Sequence, residues 1–359
     1  MSPQGDLRAS RFLRACRGEP VDTTPIWIMR QAGRYLPAYQ KTRARAGDFL
    51  TLCRTPELAC EVTLQPVDQI GVDAAIIFSD ILIPLEAMGI PLSFSEGEGP
   101  RLDPVRGAEG VAALKLFDPE VETRTLMDAI RMTVAALGGK VPLIGFAGAP
   151  WTVFCYAVEG KTSRGWQDAK RWLFEQPELA LALLEKLTVA TTAYLTAQVR
   201  AGAGAIQLFD SWAGALAVEE YRRFALPFVQ RIIAALRPLG VPLIYFCNEG
   251  AGLLADAGTA GADVLGVDFH TPIDEARRRA GAEGLTLQGN LDPMALFAPP
   301  AEIERRAADI IRRAGPRHVF NLGHGITPPT PPEHAIALVE AVHRHGRTAH
   351  GRAAGGAAS

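Results

Sequence analysis

The chain has 359 residues, 48% hydrophobic and 21% charged, a globular composition with ample material for a core. Its formal net charge of −2 gives no global basic field to attract nucleic acid, so an acidic ligand must be held by local arginines. No apolar run approaches the length of a membrane span, and the opening MSPQGDLRASRFLRACRGEP lacks the apolar core of a signal peptide.

The first twenty residues predict a short basic helix. PIWIMRQAGRYLPAY follows at 25–39. Its apolar run Pro25 to Met29 has strand length, and it turns polar at Arg30 and Gln31. Gly33 permits a sharp backbone path, and Pro37 restricts what comes next. Arg30 and Arg34 are four apart, so one helical turn would aim both guanidinium groups to one side. A planar, permanently charged fork suits carboxylates, which makes the pair a candidate anion clamp. A solvated loop with two surface arginines is the competing reading. Pro56 to Ile70 predicts a helix, with Thr55 as N-cap and Pro56 in first position. AAIIFSD, 74–80, is an apolar run closed by Ser79 and Asp80, as expected of a parallel strand covered on both faces.

The pattern then recurs: PLIGFAG (142–148), AIQLFDS (205–211), PLIYFCN (242–248), VLGVDF (264–269), LTLQGN (285–290) and HVFNLG (318–323), each followed by helical text. With the two earlier runs this makes eight strand candidates, and strands alternating with helices predict a parallel sheet. The fold expected is α/β, a single-domain (β/α)8 TIM barrel spanning 1–359, with 347–359 a disordered tail. Residues 81–118 read as an insertion carrying a hairpin around SEGEGP. A doubly wound open sheet is the alternative, but MRQAGR does not supply its GxGxxG loop. The five cysteines, at 16, 53, 60, 155 and 247, form no CxxC pair, which predicts free thiols and a cytoplasmic location.

In a barrel of this kind chemistry sits where strands end. There stand Arg30 with Arg34, Asp80, Gly148, Asp210 with Ser211, Asn248, His270, Asn290, and Gly323 with His324. Each has a plain structural reading; Asp80 or Asp210 alone could simply cap a helix. Convergence of the whole set on one rim is harder to explain by caps. There is no HExxH, GxSxG or Walker loop, and no Cys, His and carboxylate cluster with metal-ligand spacing. His343 and His345 read as solvated residues on a surface helix. No lysine ends a strand, which argues against Schiff-base chemistry.

These residues resemble the uroporphyrinogen decarboxylase family. One family signature resembles PIWIMRQAGRYLPAY and another GFAGAPWTVFCY at 145–156; FSD, LFDSWAG, LQGNLDP and NLGHGI follow in order. The resemblance covers roughly residues 7–346. It implies a homodimer that removes four acetate carboxyls from uroporphyrinogen, giving coproporphyrinogen, with neither cofactor nor metal. It also implies catalytic roles for Asp80, Arg30, Tyr156 and His324. Substrate binding falls to the same four with Gln31, Arg34, Phe209 and Ser211. Ala38 departs from the pattern, which usually has Glu there. So do Phe269 and His270 in VDFHTP and the pair Cys247–Asn248 in CNEG.

The chemistry fits such residues. Protonating a pyrrole carbon beside an acetate-bearing position makes a ring cation that accepts electrons as carbon dioxide leaves. A carboxylate can steady that cation, and arginines can hold a ligand with eight carboxylates. The same arginines are expected to keep Asp80 ionised. Two alternatives stay open: a zinc-dependent thiol methyltransferase on the same barrel, and a non-catalytic tetrapyrrole-binding protein.

Overall fold

Continuous apolar strands need cover on both faces, and the helices between them provide it. The computed structural model describes residues 9–95, 99–281 and 284–356. Its strands are β1 (Ala75–Ile76), β2 (Leu92–Ser95), β3 (Gly99–Leu102), β4 (Leu143–Gly148), β5 (Ala205–Asp210), β6 (Leu243–Cys247), β7 (Val264–Val267), β8 (Thr286–Leu291) and β9 (His318–Leu322). Seven form one parallel sheet in the order β1-β4-β5-β6-β7-β8-β9, curled into a distorted (β/α)8 barrel. β2 and β3 make the antiparallel hairpin of the insertion. Its turn residues 96–98 lie outside the described residues.

The predicted first strand, Pro25–Met29, does not form. It joins β9 by a single parallel bridge, Ile26 to Phe320. On its other side it meets Asp73, whose N–H donates to the Ile26 carbonyl at 2.7 Å. The Ile26 N–H in turn donates to the Asp73 carboxylate at 2.8 Å. A side chain therefore replaces a backbone rung at the barrel seam. The same carboxylate receives Arg11 at 2.7 Å and lies 2.7 Å from His343 Nε2. This corrects the reading of His343 as solvated; it ties the last helix to the seam. His345 sits 2.9 Å from Glu304.

The helix Pro300–Ala314 shows how the outer layer forms. Ile303, Ala307, Ile311 and Ala314 make its buried stripe, while Glu302 pairs with Arg305 and Arg306 outside. The helix Pro56–Ile70 starts as predicted with Pro56, but Thr55 makes no side-chain cap bond; its hydroxyl donates to Thr51 O instead. The 25-residue helix Pro177–Ala201 is long and apolar enough by composition to cross a membrane, against the sequence reading. Half of its most apolar window is buried in the protein, where it packs on β4 and neighbouring helices. All five cysteines are free and buried. The last helix, Pro332–Gly356, continues through most of the stretch expected to be disordered; 357–359 lie outside the described residues.

Candidate active site

A cavity of about 650 Å³ opens among the carboxyl ends of β1, β4, β5 and β6 and the loop after β9. Arg30, Gln31, Arg34, Asp80, Tyr156, Phe209, Ser211 and His324 all border it.

β1 brings Asp80 to this mouth. Asp80 Oδ1 accepts the Leu82 N–H at 2.8 Å, so it does cap the next turn while also facing the cavity. Burial pushes its pKa up to about 6, against the lowering pull of the Leu82 N–H and of Arg30. The expectation that arginines would dominate is thereby corrected. One cation and one N–H do not outweigh desolvation of the carboxylate.

Arg30 sits with φ of 64°, a left-handed conformation for a non-glycine residue. Gln31 beside it is fully buried, and its amide is used on both sides. Oε1 accepts the Ile28 N–H at 3.0 Å, and Nε2 donates to Ala74 O at 3.0 Å. Gln31 thus braces the Arg30 loop against the start of β1. Among the described residues neither Arg30 nor Arg34 has a carboxylate in salt-bridge range, and both are exposed, leaving two cations free for a ligand.

Tyr156 lies on the helix Pro150–Glu159, which starts straight after β4. Its ring meets Trp166 edge-on at 5.1 Å and Trp212 at 6.1 Å. Burial raises the pKa of its hydroxyl, so it donates a hydrogen bond more readily than a proton. His324 is half-buried, and desolvation together with Arg30 pushes its pKa down to about 4. At neutral pH its imidazole is therefore uncharged. The Ser211 carbonyl is fixed by the Asn248 amide at 3.0 Å, and its hydroxyl has no partner among the described residues.

Sequence reasoning named Phe209 and missed the rest of the floor, Phe146 and Phe246. Phe146 of β4, Phe209 of β5 and Phe246 of β6 meet edge-to-face at 5.6 and 6.0 Å. All three border the cavity. The available signal was one phenylalanine near the end of three successive strands, in FAG, FDS and FCN. Phe78 and Thr162 also line the cavity and were not singled out.

The rest of the expected rim faces elsewhere. Asp210 is buried and accepts from Thr152 at 2.7 Å and Tyr245 at 3.0 Å; burial pushes its pKa up to about 6. Asn290 donates to the backbone of Asp268 and Thr271. Exposed His270 leans on the Asp268 carboxylate, Nδ1 to Oδ1 3.1 Å, and stacks on Phe269. Ala38 sits in the first turn of the helix Pro37–Ala46. Desolvated carboxylates satisfied by neighbours hold loops here; they do not reach a ligand. Among the described residues no group of three His, Cys, Asp or Glu side chains converges to hold a metal ion.

Fold and site together define a barrel whose mouth combines two free arginines, one desolvated carboxylate and an aromatic floor. The family model "Uroporphyrinogen decarboxylase (URO-D)" matches residues 7–345. The uroporphyrinogen decarboxylase of Myxococcus xanthus is 53% identical over 338 residues, covering 94% of this chain and 96% of the relative. That of Nitrosococcus oceani is 51% identical over 345 residues, covering 94% and 96%. The chain belongs to the uroporphyrinogen decarboxylase family. Among solved structures, a methyltransferase from Methanosarcina mazei superposes with a TM-score of 0.81 at 23% identity, covering 94% of this chain and 98% of that one. A B12-independent methionine synthase from Shewanella gives 0.55 at 11%, covering 80% and 88%. At those identities the likeness concerns the fold alone.

Proposed function

We propose that the chain decarboxylates the four acetate side chains of uroporphyrinogen III to coproporphyrinogen III in tetrapyrrole biosynthesis. The observation that carries the reading is the placing of desolvated Asp80 in one cavity with Arg30 and Arg34. The arginines hold carboxylates of the ligand. Asp80 faces the pyrrole nitrogens and steadies the ring cation. Its charge acts strongly once the ligand fills the cavity and displaces water from it.

Each turnover adds a proton to a pyrrole carbon. The carboxylate–methylene bond then breaks, and its electron pair flows into the cationic ring as carbon dioxide departs. A proton taken up by the resulting methylene and one lost from the ring carbon leave a methyl group and restore the pyrrole. The ring is the electron sink, so the route calls on no cofactor or metal. Tyr156 and His324 supply hydrogen bonds and proton transfer, with Arg30 close by. His324 starts uncharged, but an arriving polyanion favours its protonated form. Phe209 and its neighbours floor the pocket, Ser211 offers a hydroxyl, and Gln31 supports Arg30.

We further propose that the protein works in the cytoplasm as a homodimer. Five buried free thiols suit a reducing compartment. The dimer is proposed from membership of the family. Sedimentation analysis at micromolar protein tests the dimer.

The decisive experiment supplies uroporphyrinogen anaerobically and measures carbon dioxide together with the porphyrins recovered after oxidation. Four equivalents of carbon dioxide per tetracarboxylate product are expected. Tight binding without gas release would instead mark a tetrapyrrole carrier.

A further inference from the structure

Arg30 has to be aimed without a strand beneath it. Its segment pairs with β9 at one bridge only, and the ladder stops there. From that point Asn321, buried near the end of β9, continues the attachment. Its Oδ1 accepts the Met29 N–H at 2.9 Å and the Leu322 N–H at 2.8 Å. The Met29 carbonyl accepts the Ile326 N–H at 2.9 Å. Both backbone polar groups of Met29 are therefore held by the stretch 321–326, which also carries His324. The next residue, Arg30, turns left-handed, and its side chain runs over Gly325. A Cβ on Gly325 would stand 2.3 Å from Arg30 Cδ, 2.8 Å from Cγ and 2.9 Å from Nε. The nearest obstacles to a side chain at 325 are all atoms of Arg30.

We infer that Asn321 and Gly325 are positioning residues that register the Arg30 guanidinium against His324, and so set affinity for the polycarboxylate. The inference rests on the reading of Arg30 as a carboxylate-binding group. Asn321 fixes the backbone from which Arg30 departs. Gly325 leaves the channel along which its stem lies. Neither touches the ligand.

The test is a pair of double-mutant cycles. Gly325→Ala and Asn321→Ala are each made alone and on an Arg30→Ala background. KM and kcat for uroporphyrinogen are measured beside melting curves. In the wild-type background Gly325→Ala should raise KM about tenfold or more, the scale of one lost charge-assisted contact, with little change in melting. On the Arg30→Ala background the same substitution should change KM less than about twofold, because its obstacle is gone. Asn321→Ala should behave alike and also melt lower, since it strands the Met29 N–H. Equal losses in both backgrounds would overturn the inference. If Asn321→Ala does not fold, the Gly325 cycle decides alone. If wild-type protein releases no carbon dioxide, the decarboxylase reading has failed separately. The cycle is then read by fluorescence quenching of uroporphyrin, a stable octacarboxylate, with the same two outcomes.

Discussion

Asp80 concentrates the functional argument in one carboxylate. Its pKa of about 6 in the folded protein, against an ordinary value near 3.8, makes ionisation costly there. The folded state binds the proton more tightly than the unfolded chain. Stability attributable to this group therefore falls as pH rises from about 4 through 6, and the cost is complete above that, at most roughly 3 kcal/mol. Asp80→Asn removes the cost while keeping an acceptor for the Leu82 N–H. The variant should melt higher at pH 8, with a smaller gain at pH 5. Its turnover should fall about a hundredfold to a thousandfold, the scale of one lost electrostatic group. Product affinity should suffer less, because the ring cation exists only in passing. If Asp80 only capped a turn, turnover would survive. A pH profile gives a second check. In the wild type kcat/KM should drop on the acid side near pH 6, and Asp80→Asn should lose that limb. Arg30→Ala and Arg34→Ala should each cost about 1.5–3 kcal/mol in kcat/KM without unfolding the chain. Wild-type activity in either variant at low substrate would remove that arginine from the clamp.

At the scale of elements, seven of the eight predicted strands were legible, because apolar runs closed by polar residues report burial on both faces. The exception is instructive. Pro25 to Met29 has the right composition, yet Asp73 and Asn321 occupy positions where backbone partners would stand, and no periodicity reveals such a substitution. Cavity-lining residues were legible where the chain leaving a strand delivers them, as with Asp80 and His324. They were illegible where orientation decides. Asp210 and Asn290 stand at the ends of β5 and β8 with the same polar signature in sequence, but turn into buried hydrogen bonds. The seam itself is testable. Asp73→Ala strands the Ile26 N–H and leaves Arg11 with Asp22 as its remaining carboxylate partner, so it should cost about 1–3 kcal/mol and lower the melting temperature by roughly 2–8 °C. Asp73→Asn keeps an acceptor and should lose less. Unchanged melting in the alanine variant would mean that the barrel closes without this clasp.

On the scale of the whole molecule, the barrel does not choose the chemistry. The Methanosarcina mazei methyltransferase has nearly the same chain path at 23% identity. What distinguishes one use of the barrel from another is the set of side chains at its mouth. A thiol that binds metal must be a thiolate. Cys247, the cysteine that ends a barrel strand here, is buried near Asp210 and Asp268, and burial with those charges raises its thiol pKa well above the ordinary range. Among the described residues no group of three His, Cys, Asp or Glu side chains gathers around it or elsewhere. The substrate proposed here carries its own electron sink, so turnover asks for charge and proton control and for little else. Exhaustive dialysis against a strong chelator should therefore leave turnover within about twofold of the starting value, and elemental analysis should find zinc far below one atom per chain. Asp80→Asn should remain impaired whether or not zinc is added back. Activity lost on dialysis and restored by zinc alone would sink the metal-independent mechanism and return the chain to the thiol-activating class.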